Sequence, residues 1–103
     1  MRRGQLWSMT RDGDLYHVLI VSNDEYNAIP EAAVWALAVV PGAGQTPLAI
    51  HLCSDDLLRG GSVSIPSLVQ ILDRATLKEN LGYVAPGTMS AVEDALREFL
   101  DLS

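Results

Sequence analysis

The stretch of sequence that decides the fold is Val18-Leu19-Ile20-Val21, which is followed by Ser22-Asn23-Asp24. Four consecutive apolar residues, three of them β-branched, favour a strand, and the lack of a polar alternation indicates that both faces of this strand are buried. We therefore predict a central strand over residues 16–22. The polar residues that follow favour a loop or one helical turn at its end.

Further short strands are predicted on both sides of this segment, separated by turns rich in Gly, Pro, Asp and Asn. Asp12-Gly13 favours a tight turn before the central strand, since this pair tolerates positive φ. Alternation around His51 predicts a half-buried strand with Ile50 facing the core and His51 facing solvent. The predicted strands cover residues 5–9, 16–22, 34–40, 48–53, 68–72 and 81–85, and short helical turns are predicted after residues 54 and 73.

The C-terminal segment has the periodicity of an amphipathic helix, predicted over residues 89–102. Pro86-Gly87 marks its entry, and Ser90 with Glu93 has the spacing of a capping box. The apolar stripe consists of Met89, Val92, Leu96, Phe99 and Leu100. Together these patterns predict a β-rich α+β fold, a small barrel closed by one C-terminal amphipathic helix. A chain of 103 residues fits a single domain over residues 1–103.

Composition restricts the classes of function. Acidic residues outnumber basic ones 13 to 7, which gives a formal net charge of −6 and argues against strong non-specific binding of nucleic acid. A local basic patch remains open, because Arg2, Arg3 and Arg11 lie in a stretch with few acids. The single Cys53 cannot form an internal disulfide and suits a reducing cytosol. No secretory signal, membrane span or zinc-ligand spacing is visible, so we expect a cytoplasmic protein without a bound metal or cofactor.

Several segments together are similar to one protein family. They are Arg3-Gly4-Gln5-Leu6-Trp7, Val18-Leu19-Ile20-Val21-Ser22-Asn23-Asp24, Tyr26-Asn27, Val39-Val40-Pro41, Leu72-Asp73-Arg74 with Leu77, and Leu81-Gly82-Tyr83-Val84. In this order and at this spacing they resemble the PemK/MazF-type toxins of type II toxin–antitoxin systems. The resemblance covers nearly the whole chain.

The resemblance implies a structure and an activity. It implies an SH3-like, partly open barrel that forms a homodimer. It also implies a sequence-preferring, metal-independent endoribonuclease that cleaves single-stranded RNA through the 2′-hydroxyl, and a small antitoxin that occupies the RNA groove. Trp7 and Trp35 are then expected in the core or at the dimer interface.

Two positions depart from the family pattern. The family has an arginine immediately before the central strand and a threonine or serine after Val-Pro-x; this chain has Tyr16, followed by His17, and Ala43 there. Tyrosine cannot replace a permanently charged, forked guanidinium, and alanine has no hydroxyl group. The usual active site is therefore altered, and the activity is uncertain.

Other residues could take over parts of the chemistry. His17 suits proton transfer near neutral pH, and Thr46 could supply a hydroxyl group. Arg11 could supply the cation, and Tyr16 a platform on which a base stacks. Each has a structural alternative: an exposed strand histidine, a turn residue before Pro47, or simple packing. The chain could accordingly be a weak RNA-cleaving toxin, an inactive homologue that binds an antitoxin, or a CcdB-like protein that poisons gyrase by binding.

Overall fold

Residues 1–41, 49–52 and 60–100 are described by a computed structural model of the chain. The elements are β1 (Gln5–Arg11), β2 (Asp14–Ile20), α1 (Asp24–Asn27), β3 (Val34–Pro41), β4 (Ala49–His51), β5 (Gly61–Ile71), a 3₁₀ turn (Arg74–Thr76), β6 (Leu77–Tyr83) and α2 (Pro86–Phe99). The strands form one antiparallel sheet in the order β4-β5-β3-β2-β1-β6. This arrangement confirms the β-rich α+β prediction with a C-terminal helix.

Strand β2 lies inside the sheet between β1 and β3, as the sequence predicts. Leu19 and Ile20 are fully buried on opposite faces, so both faces of the strand are covered. The strand is shifted towards the N-terminus, because Asp12 and Gly13 both have positive φ and form a tight hairpin that begins β2 at Asp14. It ends at Ile20, where the next two backbone amides both donate to the Trp35 carbonyl instead of continuing the ladder.

Strand β5 is much longer than the predicted segment 68–72. It contains Pro66, which lacks a backbone donor and suggests a break in the sequence. In the sheet Pro66 lies within an irregularity between the Leu37–Leu68 and Val39–Val63 pairs, a place where the ladder tolerates proline. Pro66 therefore marks a change of register within one strand.

The buried apolar residues form two clusters, one on each face of the sheet. The helix-side core, against which α2 packs, contains Leu6, Leu19, Val21, Leu37, Leu52, Val63, Ile65, Val84, Val92 and Ala95. The groove-side core contains Met9, Val18, Ile20, Val34, Ala36, Ile71 and Leu77. Because side chains alternate along a strand, these clusters show which face each neighbouring residue occupies.

Helix α2 begins before the predicted start. Ala85 precedes it and Pro86 occupies the first turn, where its missing N–H needs no partner. The predicted capping box is wrong, because Ser90 already lies inside the helix. Val92 is buried and Met89 packs against the helix-side core, as the apolar stripe predicts. No helix within the described residues is long and apolar enough to cross a membrane.

The C-terminal half also contains the predicted 3₁₀ turn and edge strand. Asp73 accepts a hydrogen bond from the Ala75 amide at 3.0 Å and so caps the turn. Strand β6 begins at Leu77, earlier than the predicted 81–85. The predictions for the turn after residue 54, for Cys53 and for the helix beyond residue 100 lie outside the described residues.

Candidate functional site

A groove of about 610 Å³ lies on the face of the sheet opposite α2. Its floor is apolar and is formed by groove-side residues such as Met9, Val18 and Ile71. The β1–β2 hairpin forms one wall, and the end of β5 with the segment after it forms the other. The groove thus lies on the face of the sheet that α2 does not cover.

Two predicted RNA-binding residues, Arg11 and Tyr16, line this groove together. Both are exposed, and 47% of Tyr16 is accessible to solvent, which leaves its ring available for stacking. Among the described residues Arg11 makes no ion pair, so its guanidinium is available to an anion. The structure therefore places a free cation beside an exposed aromatic ring.

The predicted proton-transfer residue His17 lies elsewhere. It follows Tyr16 in a regular strand, so it faces the opposite side of the sheet. There it is half-buried between its cross-strand neighbours Ser8 and Val39, on the helix side. The structure does not bring His17 together with Arg11 and Tyr16. Thr46, the other predicted catalytic residue, lies outside the described residues, as does Ala43.

Positive charge near the groove is scarce. Asp12 and Asp73 line it along with Arg11, so the acids of its lining outnumber the bases. Elsewhere in the described part, three of the arginines are already paired with carboxylates. These pairs are Arg2 with Asp24, Arg3 with Glu93 and Arg97 with Asp94. Any RNA bound here would make few phosphate contacts.

Arg74, which the sequence singled out only as part of a motif, is the main anchor of the α1 segment. Its guanidinium donates five hydrogen bonds to four backbone carbonyls, those of Tyr26, Asn27, Ile29 and Ala32. The shortest, to Asn27 and Ile29, are 2.6 Å long. A planar fork with several donors is required to reach so many acceptors at once. This motif residue is thus structural.

Asn27 and Asp24, which belong to the segment that Arg74 holds, make further hydrogen bonds that fix it in place. Asn27 is buried, and its amide donates to the Ser22 carbonyl at 2.9 Å and to Asp24 Oδ1 at 3.1 Å. Asp24 Oδ1 also accepts from the Arg3 backbone amide at 2.8 Å. That backbone hydrogen bond, followed by the one from Asn27, lowers the pKa of the Asp24 carboxyl below its usual value. The Ser22–Asn27 segment therefore ties the N-terminus to the end of β2.

No group of three or more His, Cys, Asp or Glu side chains that could hold a metal ion occurs in residues 1–41, 49–52 and 60–100. The groove itself contains the Arg11 cation, the Tyr16 ring, an apolar floor and the carboxylates of Asp12 and Asp73.

These features define a class of architecture: a small antiparallel sheet with one packed helix and an open groove on the other face. Residues 6–100 match the family of PemK-like, MazF-like toxins of type II toxin–antitoxin systems. The chain belongs to this family.

Solved structures with the same fold include two mycobacterial proteins. An endoribonuclease in complex with its cognate antitoxin, from a mycobacterial species, is 27% identical, with a TM-score of 0.88 over 100% of this chain and 97% of that chain. Another mycobacterial endoribonuclease is also 27% identical, with a TM-score of 0.85 over 99% of this chain and 92% of that chain. A MazE–MazF complex from Deinococcus radiodurans, 21% identical with a TM-score of 0.86 over 100% and 97%, shows the fold alone.

Proposed function

We propose that this toxin cleaves single-stranded RNA, with a sequence preference and without a metal, at the groove that contains Arg11 and Tyr16. The observation that carries the proposal is this pair of side chains in an open groove. It is supported by the whole-length similarity to mycobacterial endoribonucleases. We further propose one domain over residues 1–103, a cytoplasmic location and a small antitoxin as partner.

The reaction needs three contributions. A base removes the proton of the 2′-hydroxyl, an acid protonates the leaving 5′-oxygen, and a cation stabilises the charge on phosphorus. Arg11 supplies a cation for a phosphate of the bound strand, and Tyr16 stacks on a base of that strand. His17 and Thr46 are the proton-transfer and hydroxyl candidates from the sequence. His17 faces the opposite side of the sheet from Arg11 and Tyr16, so the proposed groove site does not include it.

A second function is favoured by the two altered positions. Tyr16 and Ala43 stand where the family has its arginine and its threonine or serine, so chemistry could be absent while the fold is kept. The protein would then act by binding its antitoxin. RNA cleavage by the purified protein separates these two functions.

Cleavage of a long single-stranded RNA of mixed sequence tests the proposal. We expect slow cutting at a subset of sites that persists in EDTA, and RNA affinity that falls as salt rises with the shallow slope of a few phosphate contacts. Arg11→Glu should weaken both binding and cleavage. Arg97→Glu, the same charge reversal on α2 outside the groove, is the matched control. No cleavage by the wild type, or inhibition of gyrase supercoiling instead, would contradict the proposal.

We also propose a homodimer, for which the exposed apolar surface is the support. Several large apolar side chains remain exposed around α1, β3 and the end of α2: Tyr26, Ile29, Trp35, Phe99 and Leu100. Burial of such side chains between two copies is favourable, at about 25 cal/mol per Å² of apolar area. Sedimentation equilibrium at micromolar concentration should give twice the chain mass of 11.1 kDa. A mass of one chain would exclude the dimer.

A further inference from the structure

The two histidines of the chain lie on different faces of the sheet. The His17–Val39 register brings Tyr16 beside Val40 one residue further along. Val40 pairs with Ser62 of β5, and Ser62 pairs with His51 of β4. Paired residues of an antiparallel ladder point to the same face. His51 therefore shares a face and a cross-strand row with Tyr16, whereas His17 does not.

Ser62 gives this row an unusual feature. The residue is completely buried, and within the described part of the chain its Oγ atom has no hydrogen-bond partner. A buried hydroxyl without a partner is unfavourable, because it has lost its hydrogen bonds to water, so such groups are rare in folded proteins. The side chain directly opposite it on β4 is His51, which is exposed.

A hydrogen bond between the two side chains is within reach. Residues opposite each other in an antiparallel pair have Cβ atoms about 4.5–5.5 Å apart, so rotation of the exposed imidazole can bring a ring nitrogen to the Ser62 hydroxyl. Such a bond fixes the orientation of the ring and leaves its other nitrogen facing solvent. Because Ser62 is buried and His51 is exposed, only His51 can also touch a ligand.

Within the described residues, the elements packed against the strand of His51 are β5 and α2. Strand β5, which pairs with β4, has no charged residue among its eleven. The charged residues of helix α2 are Glu93, Asp94, Arg97 and Glu98. This helix packs against the helix-side core, which contains Leu52 and against which Ile50 also packs. His51 faces away from that core. The described neighbours therefore place no fixed charge against the imidazole.

The distance along the row suits an RNA strand. Tyr16 and His51 are separated by three inter-strand spacings of about 4.8 Å, or about 14–15 Å, which a few linked nucleotides can span. A base stacked on Tyr16 and a phosphodiester near His51 can thus belong to one strand. Arg11 lies on the Tyr16 side of the same face.

We infer that His51, oriented by Ser62, is the residue that transfers protons when this toxin cleaves RNA; the inference rests on the proposed function. The neutral imidazole takes the proton of a 2′-hydroxyl, and the 2′-oxygen bonds to the adjacent phosphorus. The bond from phosphorus to the 5′-oxygen breaks, and the imidazolium returns the proton to that oxygen. The products are a 2′,3′-cyclic phosphate and a 5′-hydroxyl end, with no other reactant consumed.

Variants of the full chain test this assignment on the same mixed-sequence RNA. His51→Ala should lower kcat by roughly 10²–10⁴ with little change in KM, the usual effect of losing a general acid or base. Ser62→Ala should lower kcat by a smaller factor than His51→Ala does. It should also shift the pH dependence of the rate in the range of about pH 5–8, where histidines change charge. His17→Ala, the matched control on the other face, should remain within a few-fold of wild type. Urea unfolding confirms that each variant folds.

A binding experiment keeps the two proposals apart. Single-stranded DNA of the same sequence lacks the 2′-hydroxyl and cannot be cleaved, so it should shift the NMR signals of the His51 ring and leave those of His17 in place. Wild-type cleavage that survives His51→Ala, or is lost in His17→Ala, overturns the His51 assignment while the proposed function stands. No cleavage by the wild type overturns the proposed function and the catalytic role with it. If the DNA leaves the signals of the His51 ring unshifted, His51 does not contact the bound strand and the assignment is wrong.

Discussion

Arg74→Ala is expected to lower the free energy of unfolding by about 2–4 kcal/mol. The substitution removes all five hydrogen bonds that hold the carbonyls of residues 26, 27, 29 and 32. Hydrogen bonds from a charged donor are worth more than neutral ones, and all four carbonyls lose this donor. The carbonyls of Tyr26 and Ile29 keep the backbone amides of Ile29 and Ala32. The segment between β2 and β3 would lose its main attachment to the rest of the domain.

Urea denaturation at a fixed protein concentration measures this effect, since dimerisation would otherwise change the apparent stability. Arg97→Ala is the control, because that arginine is exposed and has only one ion pair, at 3.3 Å to Asp94. Its loss should cost less than about 1 kcal/mol. Arg74→Lys should resemble Arg74→Ala, because one ammonium group cannot reach four carbonyls. Equal stability of Arg74→Ala and wild type would show that the anchor contributes nothing.

The sequence predicts the elements whose signals are local. The apolar run of β2 and the periodicity of α2 are visible without tertiary information, and the structure confirms both. Where the elements begin and end depends on contacts that the sequence does not show. Strand β5 continues through Pro66 because an irregularity in its pairing with β3 accommodates a residue without a donor.

The candidate site is only partly visible in the sequence. Arg11 and Tyr16 could be selected from the resemblance and its departures, and the structure places them in one groove. The sequence favours His17 as the proton-transfer residue because it is adjacent to Tyr16, but adjacent residues of a strand face opposite sides of the sheet. His51 is distant in sequence and shares the face of Tyr16 through the pairing of four strands. The order and register of the strands decide which histidine shares a face with Tyr16, and no local sequence pattern reveals them.

The altered positions lead to the second large expected effect. The double variant Tyr16→Arg with Ala43→Thr should raise the rate of RNA cleavage by roughly 10²–10³, the range by which loss of one stabilising donor lowers kcat. Residue 16 lines the groove and is exposed, so an arginine there can place a forked, permanently charged group against a phosphate without disturbing the core. Single-turnover cleavage of one RNA, with all variants at equal concentration, measures the change.

Three further variants show what causes any increase. Tyr16→Lys adds charge without the fork and should recover less than Tyr16→Arg, whereas Tyr16→Phe keeps the ring and should behave like wild type. Ala43→Thr alone isolates the hydroxyl. If the wild type is inactive and the double variant cleaves, the fold is a preserved scaffold that lost its catalytic groups, and the binding function is the correct one. If the double variant is no faster than wild type, the phosphate does not pass residue 16, and the chemistry of this toxin takes place elsewhere on the sheet.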